Sequence, residues 1–416
     1  MLKDIVERQK REKERLLSLP YVERDHFAQA RAWVDDDIIK IIVGPRRAGK
    51  SVFALMLLKD RPFAYFNFDD ESFRVTAPGD LDRLMQELNV AYGATTYVLF
   101  DEIHNVPRWE LFVNRLHRQG YRIVLTGSNA RLLSSDLATA LTGRHIPIEI
   151  LPFNFKEVMR ARAITSDADH AVLFSLLHEY MVYGGYPEVV LHHLDARLYL
   201  SVLFDSLIFK DVVKHHKVRF AQQIDHLGLY LINNCATLYS LRKLARSLEF
   251  SSGITLEKYV GYLIEAYLLV SVNRYGHKAM ERIKSPKKIY AIDNGFVAAK
   301  AVQHAPDNGR LLENMVCTEL IKRGYQPNRE LFYYKTRNDR EIDFVLKKSI
   351  AIQELVQVAY NIHDQTAQER EVKALIEAAQ ETQVSQLTLL TWDTQQEIRR
   401  DQQVVSSVPI LDWLMR

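Results

Sequence analysis

The residues best equipped for chemistry stand at 44–51: Gly-Pro-Arg-Arg-Ala-Gly-Lys-Ser. The octet fits G-x-x-x-x-G-K-[ST], a loop whose backbone N–H groups wrap phosphate oxygens. Gly44 and Gly49 give the backbone its freedom, and Pro45, Arg46, Arg47 and Ala48 form the span between them. Lys50 can reach β- and γ-phosphates, Ser51 can hold Mg²⁺, and Val52 continues into the next element. The Arg46 and Arg47 side chains can face nucleotide, a partner or solvent, and residue type does not separate these. A second set of groups follows. The apolar run 95–100 ends in Asp101-Glu102. Asp101 is suited to complete the oxygen shell of Mg²⁺, and Glu102 to orient or deprotonate attacking water. The next apolar run, 121–129, ends in Thr126, Ser128 and Asn129. Asn129 is the favoured contact to the water or the γ-phosphate, with Ser128 as substitute, and a plain helix cap is the alternative. Arg144 can reach a neighbouring subunit's γ-phosphate as a finger, sense phosphate within its own subunit, or lie on the surface.

These groups need strands to aim them and helices to carry them. Ile-Ile-Lys-Ile-Ile-Val-Gly at 38–44 reads as a buried strand, and 51–60 has helical apolar spacing. Strand–loop–helix puts phosphate at a helix N-terminus, where unpaired N–H groups favour an anion. Further strands are expected at 61–68, 95–100 and 121–129, with a helix at 131–142. Together they give an α/β core over 1–150. The charged N-terminal stretch reads as an exposed, solvated helix. Residues 155–220 read as helices broken at Gly184-Gly185-Tyr186-Pro187. A third segment, 221–284, has helix 241–250, turn 251–254, helix 255–269 and strand 270–276, the order a winged helix needs. Its candidate DNA contacts are Arg242, Lys243, Arg246, Lys258, Arg274 and Lys278, although the second helix is rich in tyrosine rather than basic. The last segment, 285–416, opens with a strand at 287–296 and continues with helix 310–325, hairpin 331–348 and strand 350–360.

At 416 residues the chain has room for several domains. A net charge of +3, 47% hydrophobic and 26% charged residues describe an ordinary globular protein whose bulk charge does not announce nucleic acid. Cys235 and Cys317 are too few for a disulfide framework or a cysteine-rich zinc site, which points to a reducing cytoplasm. No apolar run is long enough to span a bilayer, so no membrane partner is expected.

GPRRAGKS, VLFDEIHNVPRWE, VLTGSNARLLSS, LTGRHIPIEILPFNFKE and YGGYPEVV, in this order, resemble the prokaryotic AAA+-type ATPases that carry a DUF4143 C-terminal region. The resemblance covers most of the chain. It implies a P-loop AAA+-type core (1–150), a helical lid (151–220), a winged helix (221–284) and an α/β restriction-endonuclease-like domain (285–416). That last domain resembles the PD-(D/E)xK nuclease fold, whose acids bind Mg²⁺ and position water. Glu313 and Asp343 stand where the first two acids fall, although each can instead be a solvated surface acid, which for Glu313 is the favoured reading. Gln357-Val358-Ala359 replaces the expected Glu-x-Lys, and Glu354 lies on the opposite strand face, so a degenerate nuclease kept for binding is expected.

The sequence thus points to an ATPase using ATP and Mg²⁺, a homo-oligomer such as a hexamer, acting on DNA whose form it does not specify, with branched DNA a candidate. Its rivals are a nucleotide-gated protein-binding switch and an ATP-regulated nuclease.

Overall fold

The computed structural model describes residues 2–127, 141, 143–192, 194–250, 252–276, 278, 285–301, 307–362, 364–400 and 402–416. They form two compact units, Met1–Pro152 and Phe153–Arg416.

In the first unit, β1 (Ile39–Val43), β2 (Phe63–Asn67), β3 (Tyr97–Asp101), β4 (Arg122–Thr126) and β5 (His145–Glu149) make an all-parallel sheet. Its order is β2-β3-β4-β1-β5. Strand β1 is buried along its whole length, as expected of an apolar run at the centre of a parallel sheet. Both faces carry a core. One contains Ile41, Phe66, Phe100 and Phe112, the other Ile42, Phe53, Leu99 and Val124. Strand β5 was not among the expected strands, and it contains Pro147. An edge strand tolerates proline, since one row of its N–H groups has no ladder partner to lose.

The N-terminal helix α1 (Leu2–Ser18) corrects an expectation. It is not a solvated element. Ile5 and Val6 join the core, and the Gln9 side chain pairs with the Asn67 backbone, accepting its N–H at 2.8 Å and donating to its carbonyl at 3.1 Å. An amide that copies one strand rung covers the otherwise open β2 edge. The charged residues that suggested solvent are used locally: Arg8 pairs with Asp70 at 2.6 Å and Lys13 donates to the Phe63 carbonyl at 3.0 Å.

The second unit begins with helices Phe155–Ala161, His170–Tyr183, Pro187–Leu191 and Ala196–Ser206, the last running into a π-helical stretch, Leu207–Lys214. The break at 184–187 has a steric cause. A Cβ on Gly185 would lie 2.0 Å from the Phe153 carbonyl oxygen, and one on Gly184 (φ +73°) would overlap the Asp293 carboxylate. Gly185 accepts the Phe153 N–H at 2.7 Å and donates its own N–H to Asp293 at 2.8 Å.

Helix Ala221–Asn233, strand β6 (Thr237–Tyr239), helices Leu241–Ser247 and Gly253–Glu265, then β7 (Leu269–Val272) and β8 (Lys287–Ala291) follow. Strand β8, expected to open the nuclease-like domain, pairs antiparallel with both β6 and β7, giving the sheet order β6-β8-β7. After helix Asn308–Lys322 comes a six-stranded mixed sheet. Its strands are β9 (Leu331–Lys335), β10 (Glu341–Lys348), β11 (Ala351–Ala359), β12 (Leu387–Thr391), β13 (Gln396–Arg400) and β14 (Gln403–Pro409), in the order β13-β14-β12-β11-β10-β9. Helix Gln365–Thr382 packs Leu375, Ala378 and Ala379 on one core of this sheet.

Candidate nucleotide site and C-terminal acid cluster

Loop 44–49 leaves the C-terminal end of β1 and enters helix Lys50–Leu57. Only glycine fits at 44: φ is +142°, and a Cβ there would meet the Ile150 carbonyl oxygen at 2.0 Å. Arg47 and Gly49 also hold positive φ, 67° and 94°, which winds the loop tightly between β1 and the helix. Arg46 is half-buried, Arg47 exposed, and Val52 38% exposed at the start of the helix. The Lys50 ammonium is buried and donates back to the Pro45 carbonyl at 2.9 Å. Beneath the loop lies Arg24, whose guanidinium donates to the Ala48 carbonyl at 3.1 Å and the Leu151 carbonyl at 2.5 Å. The spacing of the motif gave no signal for Arg24.

The sheet brings the tips of β3 and β4 to this loop. Ser51 Oγ donates to Asp101 Oδ1 at 2.9 Å. Thr126 donates to the same oxygen and accepts the Glu102 N–H at 3.1 Å, and Tyr65 donates to Asp101 Oδ2 at 3.3 Å. Burial pushes the Asp101 carboxyl above the ordinary carboxylate range, opposed by the hydrogen bonds from Thr126 and Ser51 and by the Lys50 charge. Glu102 sits at φ +53°, a rare conformation for glutamate, with His104 Nδ1 3.3 Å from its Oε2. A hydroxyl and a buried carboxylate converging beside a phosphate loop are hard oxygen donors. The residues present therefore fit Mg²⁺, with Ser51 and Asp101 as its protein ligands.

Asn129 and Ser128, and the helix expected at 131–142, lie outside the described residues. Arg144 is exposed, and its carbonyl accepts the Ile39 N–H at 3.0 Å. Ile39 is the first residue of β1 and the loop follows the last, so Arg144 lies about 15 Å of strand away from its own loop.

In the second unit Arg242, Lys243, Arg246 and Lys258 are exposed on two consecutive helices, and Lys278 is exposed beyond β7. Arg274 is not with them: it bridges to Tyr333 and donates to the Lys335 carbonyl at 2.8 Å. Glu313, Asp343 and Gln357 do come together. The Asp343 N–H donates to Gln357 Oε1 at 3.1 Å, and Lys288 Nζ lies 2.8 Å from both Glu313 Oε1 and Asp343 Oδ1. The Glu313 side chain is only 13% exposed, which overturns the solvated-acid alternative. It sits on the inner face of its helix, beneath β8.

Residues 36–159 match the AAA domain family, 175–307 a domain of unknown function, DUF8612, and 308–411 another, DUF4143. An uncharacterized protein of Methanocaldococcus jannaschii is 33% identical over 396 residues, covering 90% of this chain and 88% of its own. One of Haemophilus influenzae is 32% identical over 368 residues, covering 84% and 90%. The chain belongs to their family, the AAA-type ATPases with a DUF4143 C-terminal domain. Among solved structures, the Walker-type ATPase of Pyrococcus abyssi aligns with 69% of this chain and 100% of its own at TM-score 0.44 and 14% identity. The RuvB Holliday junction branch migration motor of Thermotoga maritima aligns with 65% and 98% at 0.31 and 15%.

In this AAA-type ATPase the sequence motifs found the residues that bear charge, and missed those that hold them. Thr126 is one of three polar residues at a strand tip, and residue type favours Asn129, then Ser128, over it. Nothing marked Lys288 as a neighbour of Asp343, since 55 residues and two different sheets separate them.

Proposed function

We propose that this AAA-type ATPase hydrolyses ATP at the 44–51 loop and uses the cycle as a switch or motor acting on DNA. The observation that carries hydrolysis is the 2.9 Å hydrogen bond between Ser51 and Asp101, which joins the phosphate loop to the acid pair. Lys50, released from the Pro45 carbonyl, neutralises β- and γ-phosphate charge. Backbone N–H groups of the loop hold the phosphate oxygens. Ser51 and Asp101 would hold Mg²⁺, which would supply charge neutralisation at the phosphates. Glu102 orients the attacking water and accepts its proton. Thr126 is a positioning residue that fixes Asp101 through its hydroxyl and Glu102 through the backbone. Arg144, remote from its own loop and exposed, suits a role at a neighbouring copy's γ-phosphate within a homo-oligomer, and a hexameric ring is one assembly that provides it.

The DNA reading is supported by the segment 221–291. Helix, strand, helix, helix and two strands around a three-stranded antiparallel sheet are the elements of a winged helix. Four exposed cations, Arg242, Lys243, Arg246 and Lys258, occupy its two central helices. Fluorescence anisotropy of labelled duplex, single-stranded and branched DNA across a salt series tests this. If all four contact phosphate, log K falls against log salt with a slope of about −3 to −4, and Arg242→Ala/Lys243→Ala flattens it by about 2. No salt-dependent binding to any of the three forms rejects the DNA role and favours the protein-binding switch.

A further inference from the structure

The nuclease fold that the DUF4143 domain resembles would place Mg²⁺ between Glu313 and Asp343, but the donors present do not fit a divalent cation. The position between the acids is taken by Lys288, only 1% exposed. Its ammonium lies 2.8 Å from Glu313 Oε1, 2.7 Å from Glu341 Oε1 and 2.8 Å from Asp343 Oδ1. The ammonium donates hydrogen bonds to Glu313 and Asp343 and is ion-paired with Glu341 as well. Two of the oxygens carry a further donor. Asp343 Oδ2 accepts the Val358 N–H at 3.0 Å, and Glu313 Oε1 also accepts the Tyr290 hydroxyl at 2.7 Å. Gln357, which stands at the expected third ligand, accepts the Asp343 N–H through its carbonyl oxygen and donates its amide to Glu371 at 2.9 Å. A hard cation needs about six oxygens with free lone pairs turned toward it. Glu313 Oε1, both Asp343 oxygens and Gln357 Oε1 are turned toward N–H and O–H donors instead, and Glu341 Oε1 toward the ammonium.

The lysine also arrives from elsewhere in the fold. Lys288 belongs to β8, in the three-stranded sheet, while Glu341 and Asp343 belong to β10 of the six-stranded sheet and Glu313 to helix Asn308–Lys322. We propose that the Lys288 ammonium is the permanent internal cation of this site. The acids that bind a metal in a nuclease serve here as a buried ionic joint between the two sheets, closed to divalent ions and to phosphodiester cleavage. A lysine that had merely moved within a working nuclease would need access to DNA, and an ammonium this deeply buried has none.

The proposal does not depend on ATP turnover, and its test uses the nucleotide-free full chain. Mn²⁺ binding is followed by electron paramagnetic resonance in the wild type, Asp343→Asn, Lys288→Ala and the double variant. Asp343→Asn is expected to leave wild-type Mn²⁺ binding unchanged. Removing the ammonium opens the site, so Lys288→Ala gains one Mn²⁺ held about tenfold tighter than any in the wild type, and the double variant loses it. If Lys288→Ala does not fold, the unfolding midpoint decides: added Mn²⁺ shifts it equally in the wild type and in Asp343→Asn. Mn²⁺ bound by the wild type and lost in Asp343→Asn overturns the proposal. So does a wild-type midpoint raised by Mn²⁺ in a way that Asp343→Asn abolishes, or a folded Lys288→Ala that binds no more Mn²⁺ than the wild type.

Discussion

Thr126→Val isolates the coupling between the two acids of the nucleotide site. Thr126 is fully buried at the tip of β4, where its hydroxyl donates to Asp101 and accepts the Glu102 N–H at 3.1 Å. Valine keeps the shape and the β-branch and removes both bonds. A hydrogen bond to a charged group contributes about 1.5–3 kcal/mol. If that positioning is expressed in the transition state, kcat falls about 10- to 100-fold, at about 1.4 kcal/mol per decade. Nucleotide affinity changes far less, because the Thr126 hydroxyl bonds to Asp101 and to the Glu102 N–H rather than to the phosphate loop. The assay is steady-state ATP turnover beside equilibrium binding of a fluorescent nucleotide, with urea unfolding to confirm that the variant is folded. Thr126→Ser, which restores the hydroxyl, should restore most of the turnover. Wild-type kcat in a folded Thr126→Val refutes the reasoning. An equal loss in affinity and kcat also refutes it, since the hydroxyl would then be supporting the loop rather than the acids.

Two further outcomes follow from the second unit. Gly185→Ala drives a methyl to 2.0 Å from the Phe153 carbonyl oxygen and should destabilise the protein by about 3 kcal/mol, the upper part of the overpacking range, read from the shift in urea midpoint; a shift under about 1 kcal/mol contradicts the tight seat. Burial and the neighbouring Asp343 charge push the Glu313 carboxyl from 4.5 up to about 8, against the opposing pull of Lys288 and Tyr290. The folded chain therefore keeps a proton that the unfolded chain has released. The resulting stability is fully present below about pH 4.5 and is lost as pH rises toward about 8. Glu313→Gln removes this dependence, so wild-type stability should decline relative to the variant across that window. A pH-independent difference speaks against it.

The parts of the fold that follow from local pattern were legible. The strand–loop–helix at 38–60 and the apolar run ending in Asp101-Glu102 carry their chemistry and their secondary structure in the same few residues. What escaped was set by distant partners. Strand β5 hides behind Pro147, acceptable only because the strand lies at an edge. Helix α1 reads as solvated until Gln9 finds the Asn67 backbone. Thr126 looks like any polar residue at a strand end, and its role follows from the parallel pairing of β3 with β4. Lys288 was missed for the clearest reason. The Glu-x-Lys pattern puts a lysine two residues after position 357, where Ala359 stands, whereas the fold brings one in from β8. A ligand set assembled from three segments leaves no local spacing to detect.

The central claim is that the 44–51 loop hydrolyses ATP, and steady-state phosphate release by the full chain and by Lys50→Ala tests it most directly. Hydrolysis by the wild type should be lost in Lys50→Ala while circular dichroism and the unfolding midpoint stay the same. Undiminished turnover by a folded Lys50→Ala would contradict the account.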